Sequence, residues 1–287
     1  MTHLAGTDAP TSQPWVAPDA MGRHFTSAVA AANLPSGPAD ETIVAAAQVA
    51  ELPRTVQRYL GFMGVVGRPR TWSFQARFTG QFLLRREPGW MKAEAWWYNA
   101  LPEIGRVFVM HVRVAGILPL VGCDTYLRGR GQMIGKVFNR FTVVEGHGEE
   151  FDIGELTTYL NDAVLLAPSM LIGANTTWTD IDDSTFQVTL HDAGRKVTGR
   201  LSVDDEGAPT DFATNDRFAA LPTGLLLAEW HTPVENWQSL HGHHLPGKVQ
   251  AVWHLPDGPL PYVRGPFVPE SLHFNTAPPL DQSHSAS

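Results

Sequence analysis

Glu229 and His231 are the pair of residues whose types and spacing best suit proton-transfer chemistry. They lie two positions apart in a stretch with the alternation of a β-strand, so both side chains point to one face of that strand. A carboxylate beside an imidazole can position a proton, and burying the two groups together shifts both pKa values. The alternative is that one or both side chains face water, in which case the pair has no chemical role.

Asp124 and Tyr126 repeat this spacing on another predicted strand. A carboxylate and a phenol on one face can hydrogen-bond a ligand and so support the acid–base pair. The competing interpretation of such acids is a structural ion pair, with Arg128 or Arg217 as the partner. The sequence leaves both interpretations open.

His241, His243 and His244 form the densest histidine cluster of the chain. His241 and His243 would share one side of a strand, and His231 or His254 could join them. Three imidazoles suit zinc or iron. However, a glycine inside the cluster and a Pro-Gly pair after it indicate the end of a hairpin. We therefore favour surface or hydrogen-bonding histidines and predict no metal.

Strong cofactor and nucleophile signatures are absent from the sequence. It contains no glycine-rich phosphate loop, no paired-cysteine zinc pattern and no G-x-S-x-G nucleophile elbow. Nucleotide-dependent and flavin-dependent chemistry therefore have no support, and we predict that the protein uses no cofactor.

The elements that must position these residues are centred on one predicted helix, from Phe151 to Leu171. Asp152 is a good N-cap, Glu155 follows it at capping-box spacing, and Pro168 ends the helix. One face is apolar, and the opposite side carries Glu155 and Asp162 with leucines beside them. The plain interpretation is a solvated polar face. The alternative places Asp162 in a cavity that the neighbouring leucines help to line.

Predicted strands precede and follow that helix. From Phe74 to Phe82, apolar and polar residues alternate, which is typical of a strand with one wet face. Short turns separate the strands, and connections of this length join only antiparallel neighbours. We predict an α+β fold that is mostly β, in which a large curved antiparallel sheet, an open half-barrel, wraps the central helix.

A single half-barrel domain is predicted for residues 39–276. Residues 1–38 are rich in Thr, Ser, Pro, Ala and Gly, which favours a flexible N-terminal arm with a short helical turn from Met21 to Ala32. Asp40 to Gly61 is predicted to form N-terminal helices, with Asp40 as a cap and Pro53 as the break between them. Residues 277–287 are predicted to be a disordered tail.

Composition excludes several partners. The net charge is −8 and Lys plus Arg total 21, so the chain lacks the excess of positive charge that nucleic acids and anionic membranes attract. No apolar run reaches the length of a membrane span, and no signal peptide is apparent, so we expect a cytoplasmic protein. The single cysteine, Cys123, is expected to serve packing. Nine tryptophans are many for this length, and they can wall a pocket for a hydrophobic ligand.

Several segments resemble a bacterial family of uncharacterised domains across residues 50 to 275. They are LPRTVQRYL near residue 52, CDTYLRGRGQM from Cys123, the TYLNDAVLLAPSML helix, Trp178, and HGHHLPGKVQAVWHL from His241. The resemblance implies a fold similar to the half-closed β-barrel of lipoprotein carriers of the LolA and LppX type, with an apolar cavity. It also implies an acidic residue at the position of Asp162. Many members carry an N-terminal membrane segment, which we do not find here. The resemblance implies no activity.

These observations favour an enzyme that shapes a hydrophobic small molecule for cyclisation or isomerisation without a cofactor. Its acid–base residues would be Asp162, Glu229 and His231. The expected ligand contacts are Asp124, Tyr126, Tyr159, Leu166, Trp97, Trp178, Trp230 and Trp253. The alternative is a non-catalytic carrier or sensor of a lipid-like ligand, in which the acids are structural. A third possibility is an interaction domain with a fully packed core.

Overall fold

The structure, a computed structural model, describes residues 19–38, 41–84, 89–114, 117–138, 140–173, 175–240 and 242–279. The helices are α1 (Ala20–Ala32), α2 (Ala46–Ala50), α3 (Arg54–Phe62) and α4 (Glu149–Leu166). The first strands are β1 (Ser73–Phe82), β2 (Met91–Ala100), β3 (Gly105–Val114), β4 (Leu118–Leu127), β5 (Arg130–Val137) and β6 (Phe141–His147). After α4 come β7 (Thr176–Asp180), β8 (Thr185–Asp192), β9 (Arg195–Val203), β10 (Pro209–Thr214), β11 (Phe218–Leu221), β12 (Gly224–Leu227), β13 (Glu229–Leu240), β14 (His243–Leu255), β15 (Gly258–Gly265) and β16 (His273–Phe274).

Fourteen of these strands form one antiparallel sheet, in the order β6-β5-β4-β3-β2-β1-β15-β14-β13-β10-β9-β8-β7, with β16 beside β1. Its two ends, β6 and β7, are not paired with each other among the described residues, so the sheet is open. Strands β11 and β12 make a separate two-stranded hairpin. The predicted fold, mostly β with an open antiparallel sheet around a central helix, is confirmed.

The alternation predicted for the first strand sets the two faces of the sheet. Phe74 and Phe78 of β1 are buried in the core beneath α4, and Phe78 pairs with Ala95 of β2. On β2, Trp97 packs into that same core, whereas Trp96 points to the opposite, outer face. We call the face toward α4 the concave face.

Helix α1 covers part of the outer face. Its Phe25 and Val29 pack with Trp96 of β2 and Val109 of β3 in a second cluster, with Cys123 against its edge. The prediction that residues 1–38 form a flexible arm is therefore wrong for residues 20–34, because their apolar side chains are buried against the sheet. Residues 1–18 and 280–287, which include most of the predicted tail, lie outside the described part of the chain.

Helix α4 begins earlier than its sequence predicts. Asp152 is not its N-cap, because its buried carboxylate accepts hydrogen bonds from the backbone N–H of Gly131 at 2.7 Å and from Arg130 and Arg195. The helix starts instead at Glu149, and Pro168 opens a short 3-10 turn after it. These contacts attach the first turn of α4 to strands β5 and β9.

A glycine allows this close approach. A Cβ atom at Gly131 would lie 2.1 Å from the carbonyl oxygen of Phe151, which no real Cβ tolerates. Any larger residue at this position would push the first turn of α4 away from β5. Position 131 therefore helps to fix how closely the helix lies against the sheet.

The first of the predicted N-terminal helices is shorter than expected, since α2 spans only Ala46–Ala50. Pro53 does precede a second short helix, α3, whose Val56, Tyr59 and Leu60 are fully buried. The predicted cap at Asp40 lies outside the described residues.

Within the described residues, no helix is both long enough and apolar enough to cross a membrane.

Candidate functional site

A cavity of about 830 Å³ lies between α4 and the concave face of the sheet. Its walls come from strands on both sides of β1 and from one face of the helix. A volume in this range is typical of sites for drug-sized ligands. Because protein interiors are otherwise packed as densely as organic crystals, a void of this size requires an explanation.

The sheet wall of the cavity is aromatic. Trp97 lies 5.0 Å from Phe108 and 5.2 Å from Phe267, measured between ring centroids. On the other side, Trp253 stacks against Tyr262 with ring centroids 6.1 Å apart. Alternation along the strands explains this wall, since every second residue points to the concave face. The sheet therefore presents large flat apolar surfaces to any occupant.

The helix wall of the cavity combines leucines with polar side chains. Glu155, Thr158, Asn161 and Asp162 all line it, and all four side chains are buried. The plain interpretation of Glu155 and Asp162 as a solvated face is therefore wrong, and the cavity interpretation of Asp162 is correct. The reason is that the sheet curves around the helix, so that no side of α4 at this level faces bulk water.

Arg106 of β3 neutralises these two acids. Its Nε donates to Oδ2 of Asp162 at 2.8 Å, and its Nη1 donates to Oε2 of Glu155 at 2.8 Å. Asn99 adds a long hydrogen bond of 3.5 Å to Asp162. Burial raises the pKa of both acids, and Arg106 partly offsets that effect. Burial alone would lower the pKa of Arg106, but the two carboxylates raise it.

Five acids line the cavity, and two of them, Glu150 and Asp257, are exposed to water. Asp124 of β4 is the third acid of the interior, beside Glu155 and Asp162. No ion-pair partner lies within 4.0 Å of it among the described residues. Burial raises its pKa to about 7; the charge of Glu155 adds to this effect, and Arg106 and Arg217 oppose it. Asp124 is thus the cavity group whose protonation changes near neutral pH.

The β11–β12 hairpin and three exposed apolar side chains surround the mouth of the cavity. Phe218 to Leu221 of the hairpin line the interior. Leu84, Val144 and Leu225 also line the cavity, yet 52%, 46% and 44% of their surfaces are exposed. Three separate segments therefore place exposed apolar side chains at the edge of the cavity, next to the exposed acids Glu150 and Asp257. A hydrophobic ligand would meet apolar surface before it enters.

Six of the predicted site residues line the cavity: Asp124, Asp162, Leu166, Trp97, Trp230 and Trp253. Three predicted ligand contacts belong instead to the solid core. The hydroxyl of Tyr126 donates to Asp192 at 2.6 Å, and the hydroxyl of Tyr159 donates to the carbonyl of Ala100 at 3.2 Å. Trp178 packs against Tyr59 and Phe186. These three expectations are wrong because the rings fill the space where α3 and α4 meet the sheet.

Glu229 and His231 do not line the cavity. On β13 they alternate with Trp230 and Thr232, which do line it, so the pair points to the outer face. The structure therefore separates them from Asp162, against the predicted acid–base trio. A hydrogen bond to Asp211 raises the pKa of His231, although burial opposes this.

Together with His254, the pair on the outer face is spaced closely enough to bind a cation. Glu229, His231 and His254 bring one ligand atom each within 4.8 Å of one another. The hydrogen bond from Nδ1 of His231 to Asp211 would fix the ring, as carboxylates do for many metal-bound histidines. However, Arg200 already donates to Glu229 at 2.7 Å, which competes with a metal for that carboxylate.

The described histidines of the predicted cluster, His243 and His244, have structural contacts. Nδ1 of His244 donates to the carbonyl of Phe62 and its ring stacks on that phenyl group at 4.3 Å. The ring of His243 stacks on Phe274 at 4.3 Å. His241 lies outside the described residues. The hairpin signal favoured surface or hydrogen-bonding histidines, and the contact of His244 with Phe62 is of the second kind.

The comparisons with known proteins give a family. A model of the family of unknown function DUF6544 matches residues 42–265. The chain belongs to this family. The structure is similar to that of a LolA superfamily protein from Nitrosomonas europaea, with 14% identity, a TM-score of 0.39 and coverage of 74% of this chain and 90% of that one. It is also similar to a DUF1329 family protein from Desulfovibrio piger, with 9% identity, a TM-score of 0.41 and coverage of 85% and 99%. No curated protein matches.

The cavity residues of this DUF6544 chain that were not identified from its sequence as site residues include Arg106, Glu155 and Arg217. The alternation of β3 placed Arg106 on the same face as Phe108 and Met110, and this was a usable signal. A lone arginine on an apolar strand face predicts a buried acid opposite it. For Glu229 and His231 the apolar neighbours Trp230 and Val234 carried the corresponding signal, since apolar positions point inward.

Proposed function

We propose that the protein binds a hydrophobic small molecule in the cavity beneath α4 and acts as a non-catalytic carrier or sensor of it. One observation carries the proposal: a cavity of about 830 Å³ with an aromatic wall in an otherwise dense core. Burying apolar ligand surface against such a wall contributes about 25 cal/mol for each Å² removed from water. The cavity also argues against an interaction domain with a fully packed core.

The state of the acids favours carriage over catalysis. Asp162 and Glu155 both pair with Arg106, so neither is free to accept a proton from a ligand without breaking an ion pair. The other two predicted acid–base residues, Glu229 and His231, point to the outer face. Asp124 alone keeps catalysis as a second candidate, because its pKa of about 7 suits proton exchange inside the cavity.

Native mass spectrometry of freshly purified protein tests the proposal. We expect a co-purified apolar ligand that is released on unfolding and is recovered unchanged after long incubation. Conversion of such a ligand into a product, lost in Asp124→Asn, would support the enzyme instead. Absence of any co-purified ligand, together with no binding of long-chain alcohols, would contradict both.

A cavity-filling variant makes the location testable. Gly122 lies on the cavity wall, and a Cβ atom there would have its nearest neighbour at 4.0 Å. Gly122→Phe should therefore fill the cavity without displacing the backbone, and should lower ligand affinity at least tenfold. Gly61→Phe on α3 is the matched control, since nothing lies within 4 Å of its Cβ position and Gly61 does not line the cavity. Equal affinities in the two variants would place the ligand elsewhere.

A further inference from the structure

The cavity contains a second arginine, Arg217, which acts on Asp124, Glu155 and Asp162 at longer range but has no ion pair at contact distance among the described residues. Among the described residues, no carboxylate lies within 4.0 Å of its guanidinium, in contrast to Arg106. Instead the group lies over the rings of Trp230 and Trp253, 4.3 and 5.4 Å from their centroids. Its Nη1 donates only a long hydrogen bond of 3.4 Å to the hydroxyl of Tyr262.

An arginine in this setting is well placed to bind an anion. Aromatic faces hold the planar guanidinium in position, but they leave its in-plane N–H donors unused. Nε of Arg217 is buried and has no hydrogen-bond partner in the described part of the protein. Because the guanidinium presents its donors as a rigid fork, the group that it fits best is a carboxylate, which can accept two parallel hydrogen bonds.

Two unpartnered polar atoms lie on the same cavity walls. Thr232 follows Trp230 by two residues on β13, so it shares the concave face about 7 Å farther along the strand. It is 3% exposed, and its hydroxyl has no partner among the described residues. Asn161 of α4 is 6% exposed, and its Oδ1 likewise has none. Buried polar atoms are normally hydrogen-bonded, so the ligand is expected to supply polar atoms as well as hydrocarbon.

We propose that the occupant is an amphiphile with a single terminal carboxylate, a long-chain carboxylic acid, whose head group pairs with Arg217 and accepts a hydrogen bond from Thr232. The hydrocarbon chain lies along the aromatic wall that includes Trp97 and Phe108. The inference rests on the proposed function, because it requires that the cavity binds a ligand, and it adds the chemical class of that ligand.

The cavity acids do not favour a cationic head group instead. Glu155 and Asp162 are already paired with Arg106. Three other acids line the cavity. Glu150 and Asp257 are exposed to water, and the raised pKa of Asp124 leaves it partly uncharged at neutral pH, whereas an arginine is charged throughout. An amine would also add a third cation to a cavity that already holds Arg106 and Arg217. The charge of Arg217 is therefore the stronger anchor.

Three ligands that differ only in their head group test the proposal. Dodecanoic acid, 1-dodecanol and dodecylamine are titrated into the delipidated full-length protein at pH 7, with tryptophan fluorescence and calorimetry as readouts. We expect the acid to bind about 10- to 100-fold more tightly than the alcohol, the range for hydrogen bonds to a charged group. Arg217→Met should remove that difference while leaving the affinity for the alcohol unchanged within about twofold. Thr232→Val, a near-isosteric change, should weaken only the acid, by about 2- to 10-fold.

Arg264→Met is the matched control. Arg264 also lies over a tryptophan, 4.1 Å from the ring centroid of Trp90, but it is exposed and does not line the cavity. It should leave all three affinities unchanged. The proposal is wrong if the acid and the alcohol bind equally, if the amine binds most tightly, or if Arg217→Met and Thr232→Val both keep the preference for the acid. If the alcohol binds well in those cases, the proposed function survives; if none of the three ligands binds, both are wrong.

Discussion

Replacing Asp124 by asparagine should stabilise the protein, and increasingly so as the pH rises. In the folded chain, burial raises the pKa of Asp124 from its ordinary value of 3.8 to about 7. The groups that face it are Glu155 on α4, Arg106 on β3 and Arg217 before β11. Asparagine has nearly the shape of the protonated acid, so the variant keeps the contacts of the neutral form and never ionises.

The size of the effect follows from linkage between protonation and folding. Because the folded pKa is raised, the contribution of Asp124 to stability is fully present below pH 3.8 and is lost progressively as the pH rises to about 7. Each pH unit in this window costs about 1.4 kcal/mol. The difference between variant and wild type should therefore be near zero at pH 4, about 2 kcal/mol at pH 5.5 and about 4 kcal/mol at pH 8.

Urea denaturation at these three pH values measures the difference. The matched control is Asp257→Asn, an exposed aspartate at the edge of the same cavity, which should change the free energy of unfolding by less than about 0.5 kcal/mol at each pH. A difference for Asp124→Asn that does not vary with pH would refute the reasoning. So would a loss of stability at pH 8, because it would mean that the ionised carboxylate makes favourable contacts in the fold.

Three further predictions concern the ties of α4 and the placement of the site. Arg106→Met should lower the free energy of unfolding by about 3–5 kcal/mol, because it leaves two buried carboxylates unpaired. The control is Arg77→Met, which removes an exposed ion pair and should cost less than about 1 kcal/mol. Similar losses for the two variants in urea denaturation would contradict this. Asp152→Ala should lower the free energy of unfolding by about 2–4 kcal/mol in the same assay, since it removes a buried carboxylate that accepts three hydrogen bonds. A loss below about 1 kcal/mol would contradict this reasoning. His231→Ala should leave the affinity for dodecanol unchanged in a fluorescence titration, whereas Trp97→Ala should lower it at least tenfold.

The architecture could be predicted because it depends on local patterns. Phe74 to Phe82 alternates strictly, and a strand with period two has one obvious inward face. Trp97, Trp230 and Trp253 were expected as ligand contacts because tryptophans can wall a pocket, and all three line the cavity. The central helix was predicted from its apolar residues, which recur with the helical period. Such signals survive folding because they are made of residues close together in sequence.

The chemistry of the site could not be predicted in the same way, because it depends on contacts between distant residues. Arg106 reaches Glu155 and Asp162 across 49 and 56 positions of the chain. Without that partner, an acid on a polar helix face is indistinguishable from a solvated one. The start of α4 shifted for a similar reason, since Arg195 and Gly131 hold the carboxylate that would otherwise cap the helix. The types of neighbouring residues were enough to predict the helix and the strands. The polar contacts of the site depend on ion pairs and hydrogen bonds between distant segments, which the sequence does not reveal.

The polar ties of α4 explain how a large cavity persists beneath it. Asp152 holds the first turn of the helix, Arg106 holds its middle, and the hydroxyl of Tyr59 donates at 2.6 Å to the carbonyl of Val164 near its end. An apolar void normally collapses where the surrounding structure can relax, and a helix fixed at three levels cannot move toward the sheet.

The central tie gives a sharp test, because a buried ion triad is seldom the most stable solution. Replacing all three members together, Arg106→Met, Glu155→Leu and Asp162→Leu, should leave stability unchanged or raise it by about 1–4 kcal/mol, in contrast to the loss caused by Arg106→Met alone. The same triple variant should bind dodecanol more weakly, since α4 can then settle onto the sheet and the leucines fill the cavity. Unchanged dodecanol affinity in a stable triple variant would show that the triad does not hold the cavity open.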